Sequence, residues 1–188
     1  MENAIPTRMR RILPLLLCLS GAISLSAATL ERLSLDDLTQ KSTAIVRAKV
    51  VGSFADLRGT AIYTHWKIQV TDRWKGSGGS AIEVLVPGGD ANGLHQEVPG
   101  APKLSQGKEY LLFLWTSKSG ATYITGWGQG VFSLTQNTAN DWIASRGALG
   151  ETMLDRKTWL PVQDEGMQMR YTDMATQVSA TLARGATR

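Results

Sequence analysis

Residues 44–50 read AIVRAKV, and a second stretch, residues 62–74, reads IYTHWKIQVTDRW. In both stretches apolar residues alternate with polar or charged ones, which is typical of strands with one buried face. The apolar positions are Ala44, Val46, Ala48, Val50, Ile62, Trp66, Ile68 and Val70. Turn residues around 56–59 separate the two stretches. We therefore predict an antiparallel hairpin.

Short apolar stretches continue along the chain, separated by Gly, Pro and Asn turn residues. They cover residues 82–86, 94–98, 110–115, 122–125, 131–134 and 142–144. Residues 110–115 (YLLFLW) have no polar face, which predicts a strand buried on both sides. Three glycines in residues 126–130 (GWGQG) predict a bulge or tight corner. The fold expected is mainly β: a small antiparallel barrel, OB-like and partly open, or a sandwich.

A short helix is expected near the N-terminus and an amphipathic helix at the C-terminus. Ser34 can cap a helix of two turns that ends before Thr43. Tyr171, Met174, Val178 and Leu182 form an apolar stripe, so we expect a C-terminal helix over about 165–184, with Asp164 and Glu165 at its start. Residues 29–188 then form a single domain. Its barrel covers about 42–145, and an irregular segment over 146–164 packs Trp159 or Leu154 on the body.

The first 28 residues have the organisation of a secretory signal peptide. Three arginines precede an apolar run over residues 12–25, and small residues follow it. The run is shorter than the ~20 residues that cross a bilayer core, so no membrane span is expected after cleavage. We predict cleavage between Ala28 and Thr29, and export to the periplasm or the extracellular space.

Removal of that segment changes the composition and excludes several kinds of functional site. The single cysteine, Cys18, leaves with the signal, which excludes disulfides, thiolate metal sites and a cysteine nucleophile from the exported chain. Removing three arginines and one glutamate lowers the formal net charge from +4 to +2. Nucleic acid is therefore not an expected partner. No glycine-rich phosphate-binding loop occurs, and we predict no cofactor.

The sequence contains no recognisable catalytic or metal-binding constellation. His65 and His95 are its two histidines, no Gly-x-Ser-x-Gly elbow occurs, and the histidines lack the short spacing of zinc sites. We predict no catalytic residue and no metal ligand. The pattern favours a protein that is not an enzyme, without deciding the question.

The outward positions of the hairpin suggest a ligand-binding face. They form a basic stripe with one aromatic residue: Arg47, Lys49, Tyr63, His65, Lys67 and Arg73. Such a face of an OB-like barrel can bind an oligosaccharide or another extended polymer, an anionic one in this case, although a solvated sheet face has the same pattern. Trp127 lies between glycines, where an exposed indole could stack on a sugar ring or anchor a partner protein.

Several short motifs occur in a recognisable order. They are LSLDDL at 33–38, STAIVRAKV at 42–50, WKG at 74–76, VPGG at 86–89, PGAP at 99–102, YLLFL at 110–114 and QGVF at 129–132. In this order the chain resembles a group of uncharacterised secreted bacterial proteins with no established activity. The resemblance implies a secreted β-rich domain and no catalytic residue.

Three functions remain as hypotheses. The first is a non-enzymatic binding module for an envelope polysaccharide or an exported partner protein. The second is an inhibitor or regulator of a secreted hydrolase, which would present loops such as residues 87–102 to the enzyme's cleft. The third is a hydrolase with a carboxylate site, which requires two or three acidic side chains to converge in a pocket. The sequence predicts no oligomeric state.

Overall fold

The computed structural model describes residues 29–186. The predicted signal peptide and the Ala28 side of its cleavage point lie outside these residues, and Thr29 begins the first strand. The helices are α1 (Leu35–Lys41) and α2 (Tyr171–Ala186). The strands are β1 (Thr29–Glu31), β2 (Ala44–Arg58), β3 (Ala61–Lys75), β4 (Ala81–Pro87), β5 (Gly89–Ala91), β6 (Leu94–Gln96), β7 (Glu109–Thr116), β8 (Thr122–Ile124), β9 (Val131–Gln136), β10 (Trp142–Arg146), β11 (Thr152–Leu154), β12 (Pro161–Val162) and β13 (Met167–Arg170).

One large, mostly antiparallel sheet dominates the fold, with strand order β13-β10-β9-β7-β2-β3-β4-β8. Strand β8 also pairs with β7, so the sheet folds over and five of its strands close on themselves. The closing pair is Leu85 with Tyr123, where β4 and β8 run parallel. The predicted mainly β, sandwich-like or barrel-like fold with a helix near each end is confirmed.

The long hairpin of β2 and β3 is the antiparallel pair expected from the alternating sequence. The hairpin is longer than the sequence pattern indicated: β2 continues to Arg58. The register shifts between Ile45 and Val46, Arg47 and Ala48, and Val50 and Gly52. Such irregularities increase the twist of the strands and let a long hairpin curl into a closed sheet.

The large sheet is buried on both faces in its centre. Inside the closed part, Val46, Val84 and Leu112 belong to one apolar cluster. On the opposite face, Ile45 and Phe113 pack with Met174 and Val178 of α2 in a second cluster. Strands β2 and β7 contribute alternate residues to both clusters, which explains why β7 carries apolar residues at almost every position.

The two helices follow the sequence pattern with one change of boundary. Helix α1 begins after Ser34, whose hydroxyl oxygen accepts the Asp37 N–H while the Asp37 carboxylate accepts the Ser34 N–H. Helix α2 begins at Tyr171 rather than near 165, because Met167–Arg170 pair with β10 as a strand. Asp164 does not cap the helix and pairs with Arg146 instead.

The segment that the sequence pattern indicated as irregular contributes β11 and β12 to a small sheet of order β1-β11-β12, in which β1 comes from the start of the described chain. Met153 of this sheet is fully buried, Leu154 is half-buried and Trp159 is exposed. Met153, rather than Trp159 or Leu154, is therefore the buried apolar residue of this segment. Of the described helices, neither is long and apolar enough to cross a membrane.

Candidate functional site

A row of side chains crosses the outer face of the closed sheet. Leu85 pairs directly with Tyr123, and Tyr123 pairs with Trp115 on the next strand. Tyr63 pairs with Pro87, which lies two residues after Leu85 on β4. Because directly paired residues project to the same face of a sheet, these rings and apolar groups lie side by side.

These residues line a cleft of about 620 Å³. Four aromatic side chains, Tyr63, Trp115, Tyr123 and Trp127, surround it together with Pro87, Pro102 and Lys41. The Trp115 and Tyr123 rings stack with centroids 5.9 Å apart, yet Trp115 stays 46% exposed. An exposed indole next to an aromatic floor provides a surface for a ligand with apolar faces.

The glycine corner positions Trp127. Gly126 and Trp127 both adopt left-handed φ values, 66° and 58°, before a 3-10 turn over Trp127–Gly130. A side chain at Gly130 would meet the carbonyl oxygens of Thr125 and Phe113, so the corner approaches the sheet too closely for any residue but glycine. The predicted tight corner is thus a fixed support for one wall of the cleft.

Gln129 anchors the same corner from behind. Its fully buried side chain accepts the Leu33 N–H at 2.8 Å and donates to the Glu31 carbonyl at 2.9 Å. These bonds connect the corner to the chain just before α1. The wall that carries Trp127 is therefore tied to a segment almost 100 residues earlier in the chain.

The cleft carries little charge. Of the described residues that line it, only Lys41 is charged at pH 7, and its ammonium lies 2.9 Å from the Glu31 carboxylate. Within residues 29–186, no carboxylate lines the cleft. The arrangement suits a ligand that is bound by stacking and hydrogen bonds rather than by strong electrostatic attraction.

Two of the seven side chains selected from the sequence, Tyr63 and Trp127, line this cleft. Lys49 is exposed, and the Lys67 ammonium lies 5.3 Å from the centre of the Phe54 ring. The Arg73 guanidinium donates to the Gly79 carbonyl at 2.8 Å. The basic residues of the stripe are therefore spread over the sheet and do not line the cleft.

Arg47 is held inside an internal network. Its guanidinium donates to both carboxylate oxygens of Glu109, at 2.8 and 3.0 Å, and lies 4.2 Å from the centre of the Trp142 ring. The hydrogen bond with Glu109 raises the pKa of Arg47 and lowers the pKa of Glu109. Burial, together with the hydrogen bond to Asp72, raises the pKa of the neighbouring Tyr171 phenol. This geometry is that of a structural ion pair.

His65 is enclosed on its face of the hairpin. Its two ring nitrogens lie 2.7 Å from the Glu83 carboxylate and 2.8 Å from that of Asp56, and Phe54 stacks on the ring with centroids 4.4 Å apart. The ring is only 1% exposed, although strand alternation places it outward. The hydrogen bond from His65 lowers the pKa of Asp56. With both nitrogens engaged, His65 has no free nitrogen with which to accept a proton from a substrate.

Two acidic side chains, Glu83 and Asp56, converge on His65. Within residues 29–186, no group of three or more His, Cys, Asp or Glu side chains is arranged to hold a metal ion. His95 lies on the β5–β6 hairpin, where its ring forms a solvent-exposed hydrogen bond of 2.8 Å with Asp90.

Sequence reasoning missed Trp115, Tyr123 and Lys41 as cleft residues. A usable signal was present, because the turn at Ser119-Gly120 separates two predicted strands. Pairing these strands about that turn places Tyr123 opposite Trp115, as the structure does. Trp115 was expected in the core because it ends the most buried strand.

No protein-family model matches the chain, and comparison with the curated proteins also finds no match. The resemblance to secreted bacterial proteins stays a prediction. Arguments about function therefore rest on the cleft itself.

Proposed function

We propose that this protein is an exported, non-enzymatic binding module that holds an envelope polysaccharide in its aromatic cleft. The observation that carries the proposal is the set of four aromatic rings around one cleft, with Trp115 still 46% exposed. Sugar rings present apolar C–H faces that stack on indole and phenol rings, and small β-barrels bind oligosaccharides on such surfaces. The cleft's volume of about 620 Å³ also falls in the range of about 300–1,000 Å³ that is usual for ligand sites.

The low charge of the cleft narrows the ligand class. Lys41 is already paired with Glu31, and Arg47 and Arg73 are occupied by internal hydrogen bonds. A neutral or weakly acidic glycan therefore fits better than the anionic polymer that the basic stripe suggested. We expect neutral oligosaccharides to bind at least as tightly as acidic ones of the same length.

Calorimetric titration of the purified protein with envelope oligosaccharides tests the proposal. Trp115→Ala and Trp127→Ala each remove one wall of the cleft, and we expect each to lower the affinity at least tenfold, or about 1.4 kcal/mol. Trp159→Ala is the matched control, because Trp159 is 65% exposed and does not line the cleft. Equal affinities for all four proteins would refute the cleft as the binding site.

Export is the second part of the proposal, supported by the arginines, apolar run and small residues of 1–28. N-terminal sequencing of the protein recovered from an expressing bacterium measures it. We expect the chain to start at Thr29, within two residues. Recovery from the cytoplasm with Met1 in place would contradict export.

A hydrolase inhibitor remains the second candidate, because the β5–β6 hairpin projects an exposed apolar tip. Leu94 is 57% exposed beside the Asn92–Gly93 turn, where both residues adopt positive φ. This reading predicts that the protein slows a secreted hydrolase and that Leu94→Asp abolishes the effect. Undiminished activity of the hydrolase in the presence of the protein would exclude this second candidate function.

A further inference from the structure

A second cavity, far more polar than the aromatic cleft, lies between the start of α1 and the segment that follows β11. Its volume is about 540 Å³. Four cationic side chains line it: Arg32, Arg146, Arg156 and Lys157. No residue of this group lines the aromatic cleft, so the two sites can be changed separately.

The carboxylates of this cavity are satisfied by the protein. Asp164 accepts hydrogen bonds from Arg146 and from the Leu149 N–H, and Asp37 accepts from Ser34 and Arg156. Asp155 accepts the backbone N–H groups of Lys157 and Thr158. All three carboxylates of the cavity therefore already have hydrogen-bond donors within the protein.

Positive groups in the cavity have donors to spare. Among the described residues, neither the Arg32 guanidinium nor the Lys157 ammonium has a hydrogen-bond partner, and both residues are exposed. The Lys157 ammonium attracts the nearby Asp155 carboxylate without bonding it. The Arg146 side chain is only 7% exposed, yet its Nε has no hydrogen-bond partner. A buried donor without a partner is costly, but this N–H is closed off from solvent, so the accessible spare donors of the cavity are those of Arg32 and Lys157.

An apolar tip adjoins the cavity. Every residue from Arg156 to Pro161 is exposed, and Trp159 and Leu160 are 65% and 63% exposed. The tip has a defined shape, because the Trp159 N–H donates to the Asp155 carbonyl at 2.8 Å and the Asp155 N–H donates to the Leu160 carbonyl at 3.0 Å. Trp159 also holds a left-handed φ of 56°, which is unfavourable for a bulky residue without glycine's freedom.

We propose that the cavity and the tip together form a binding site for the surface of an anionic phospholipid membrane. The phosphate headgroup takes the spare donors of Arg32 and Lys157, while Trp159 and Leu160 enter the interfacial layer. Tryptophan is favoured at that depth, and basic residues beside it are attracted to anionic lipids. A protein partner would use the exposed indole but would not require the adjoining donors, which is why the lipid surface is the better occupant.

Flotation of the purified protein with lipid vesicles tests this site. We expect binding to phosphatidylcholine vesicles that contain phosphatidylglycerol, weaker binding as salt is raised, and little binding to phosphatidylcholine alone. Trp159→Ala/Leu160→Ala and Arg32→Ala/Lys157→Ala should each reduce the bound fraction at least fivefold. Since all four residues are exposed, these variants are expected to fold, which their urea unfolding curves will verify.

Matched variants decide between the outcomes. Leu94→Ala/Lys103→Ala removes an equally exposed apolar group and a cation elsewhere, and it should bind vesicles as the unchanged protein does. Trp115→Ala should also leave vesicle binding unchanged, so failure of the glycan proposal does not affect this one. Absence of vesicle binding, equal binding to both vesicle types, or binding of soluble glycerol phosphate without vesicle binding would each overturn the membrane proposal.

Discussion

Trp115 and Tyr123 face each other across the pair formed by β7 and β8, with their ring planes inclined by only 29°. Tyr123 also pairs with Leu85, so the same residue closes the sheet and forms the centre of the cleft floor. The strand that carries it is only three residues long. The shape of the cleft therefore depends on the closure of the sheet.

Substitutions of Tyr123 should separate the ring from its hydroxyl group. Tyr123→Phe keeps the stack, and we expect oligosaccharide affinity within about twofold of the unchanged protein. Tyr123→Ala removes the support of Trp115 and should lower affinity about tenfold or more. Calorimetric titration measures both; a larger loss in Tyr123→Phe than in Tyr123→Ala is inconsistent with a stacking floor.

The ion pair of Arg47 and Glu109 should make stability depend on pH. Its hydrogen bond lowers the pKa of Glu109 below the ordinary value of 4.5, so the pair stabilises the folded state above that pH. This contribution is lost as the pH falls through the lowered pKa. We expect Arg47→Met to reduce the free energy of unfolding by about 2 kcal/mol at pH 7 and by less below pH 4.5.

Urea unfolding at several pH values measures this difference. Lys49→Met, an exposed lysine on the same strand, is the control and should change stability little at any pH. An Arg47→Met effect of the same size at pH 7 and in acid would contradict the role of the ion pair.

Arg146 and Asp164 form the most buried ion pair of the described residues, with side chains only 7% and 4% exposed. Burial alone would raise the pKa of Asp164, but hydrogen bonds from Arg146 and the Leu149 N–H outweigh it and hold this pKa below its ordinary value. Arg146→Met leaves that carboxylate buried and should cost about 3 kcal/mol. Adding Asp164→Leu should recover part of the loss.

Arg184→Met serves as the comparison for that pair, because Arg184 and its partner Asp36 are largely exposed. Its cost should stay below about 1 kcal/mol in the same urea experiment. Similar costs for both arginine variants would show that the buried pair has no special role in stability.

Gly130 should tolerate no side chain. A Cβ there would lie 3.1 Å from the Phe113 carbonyl oxygen and closer still to that of Thr125. Neither backbone group can move without distorting the corner, so Gly130→Ala should cost about 2 kcal/mol or more and weaken glycan binding through Trp127. Gly147→Ala, at a position with no atom within 4 Å, should be nearly neutral in thermal unfolding. Equal melting temperatures for the two variants would contradict this account of the corner.

The main elements of the fold were predictable because their periods are strong. Alternation identified the β2–β3 hairpin, and the Ser34 cap identified α1. The start of α2 was not predictable. Met167–Arg170 pair with β10 as a strand, and this tertiary contact prevails over the local helical pattern of the sequence. Local sequence signals alone cannot show which edge strand of a sheet pairs with a distant segment of the chain.

The site was only half predictable for a related reason. Tyr63 and Trp127 were selected from their own neighbourhoods, whereas Trp115 joins the cleft through its register with Tyr123. His65 was expected outward, and it is covered because β2 extends far enough to bring Phe54 and Asp56 beside it. Strand lengths and cross-strand neighbours decide both cases.

The central claim is that a glycan occupies the aromatic cleft, and the indole N–H signals of the six tryptophans measure this directly. In ¹⁵N-edited NMR spectra, assigned with single Trp→Phe variants, we expect added oligosaccharide to shift the signals of Trp115 and Trp127. The signals of Trp66, Trp74, Trp142 and Trp159, which do not line the cleft, should stay in place. Shifts confined to these four, or no shift at saturating oligosaccharide, would contradict the account.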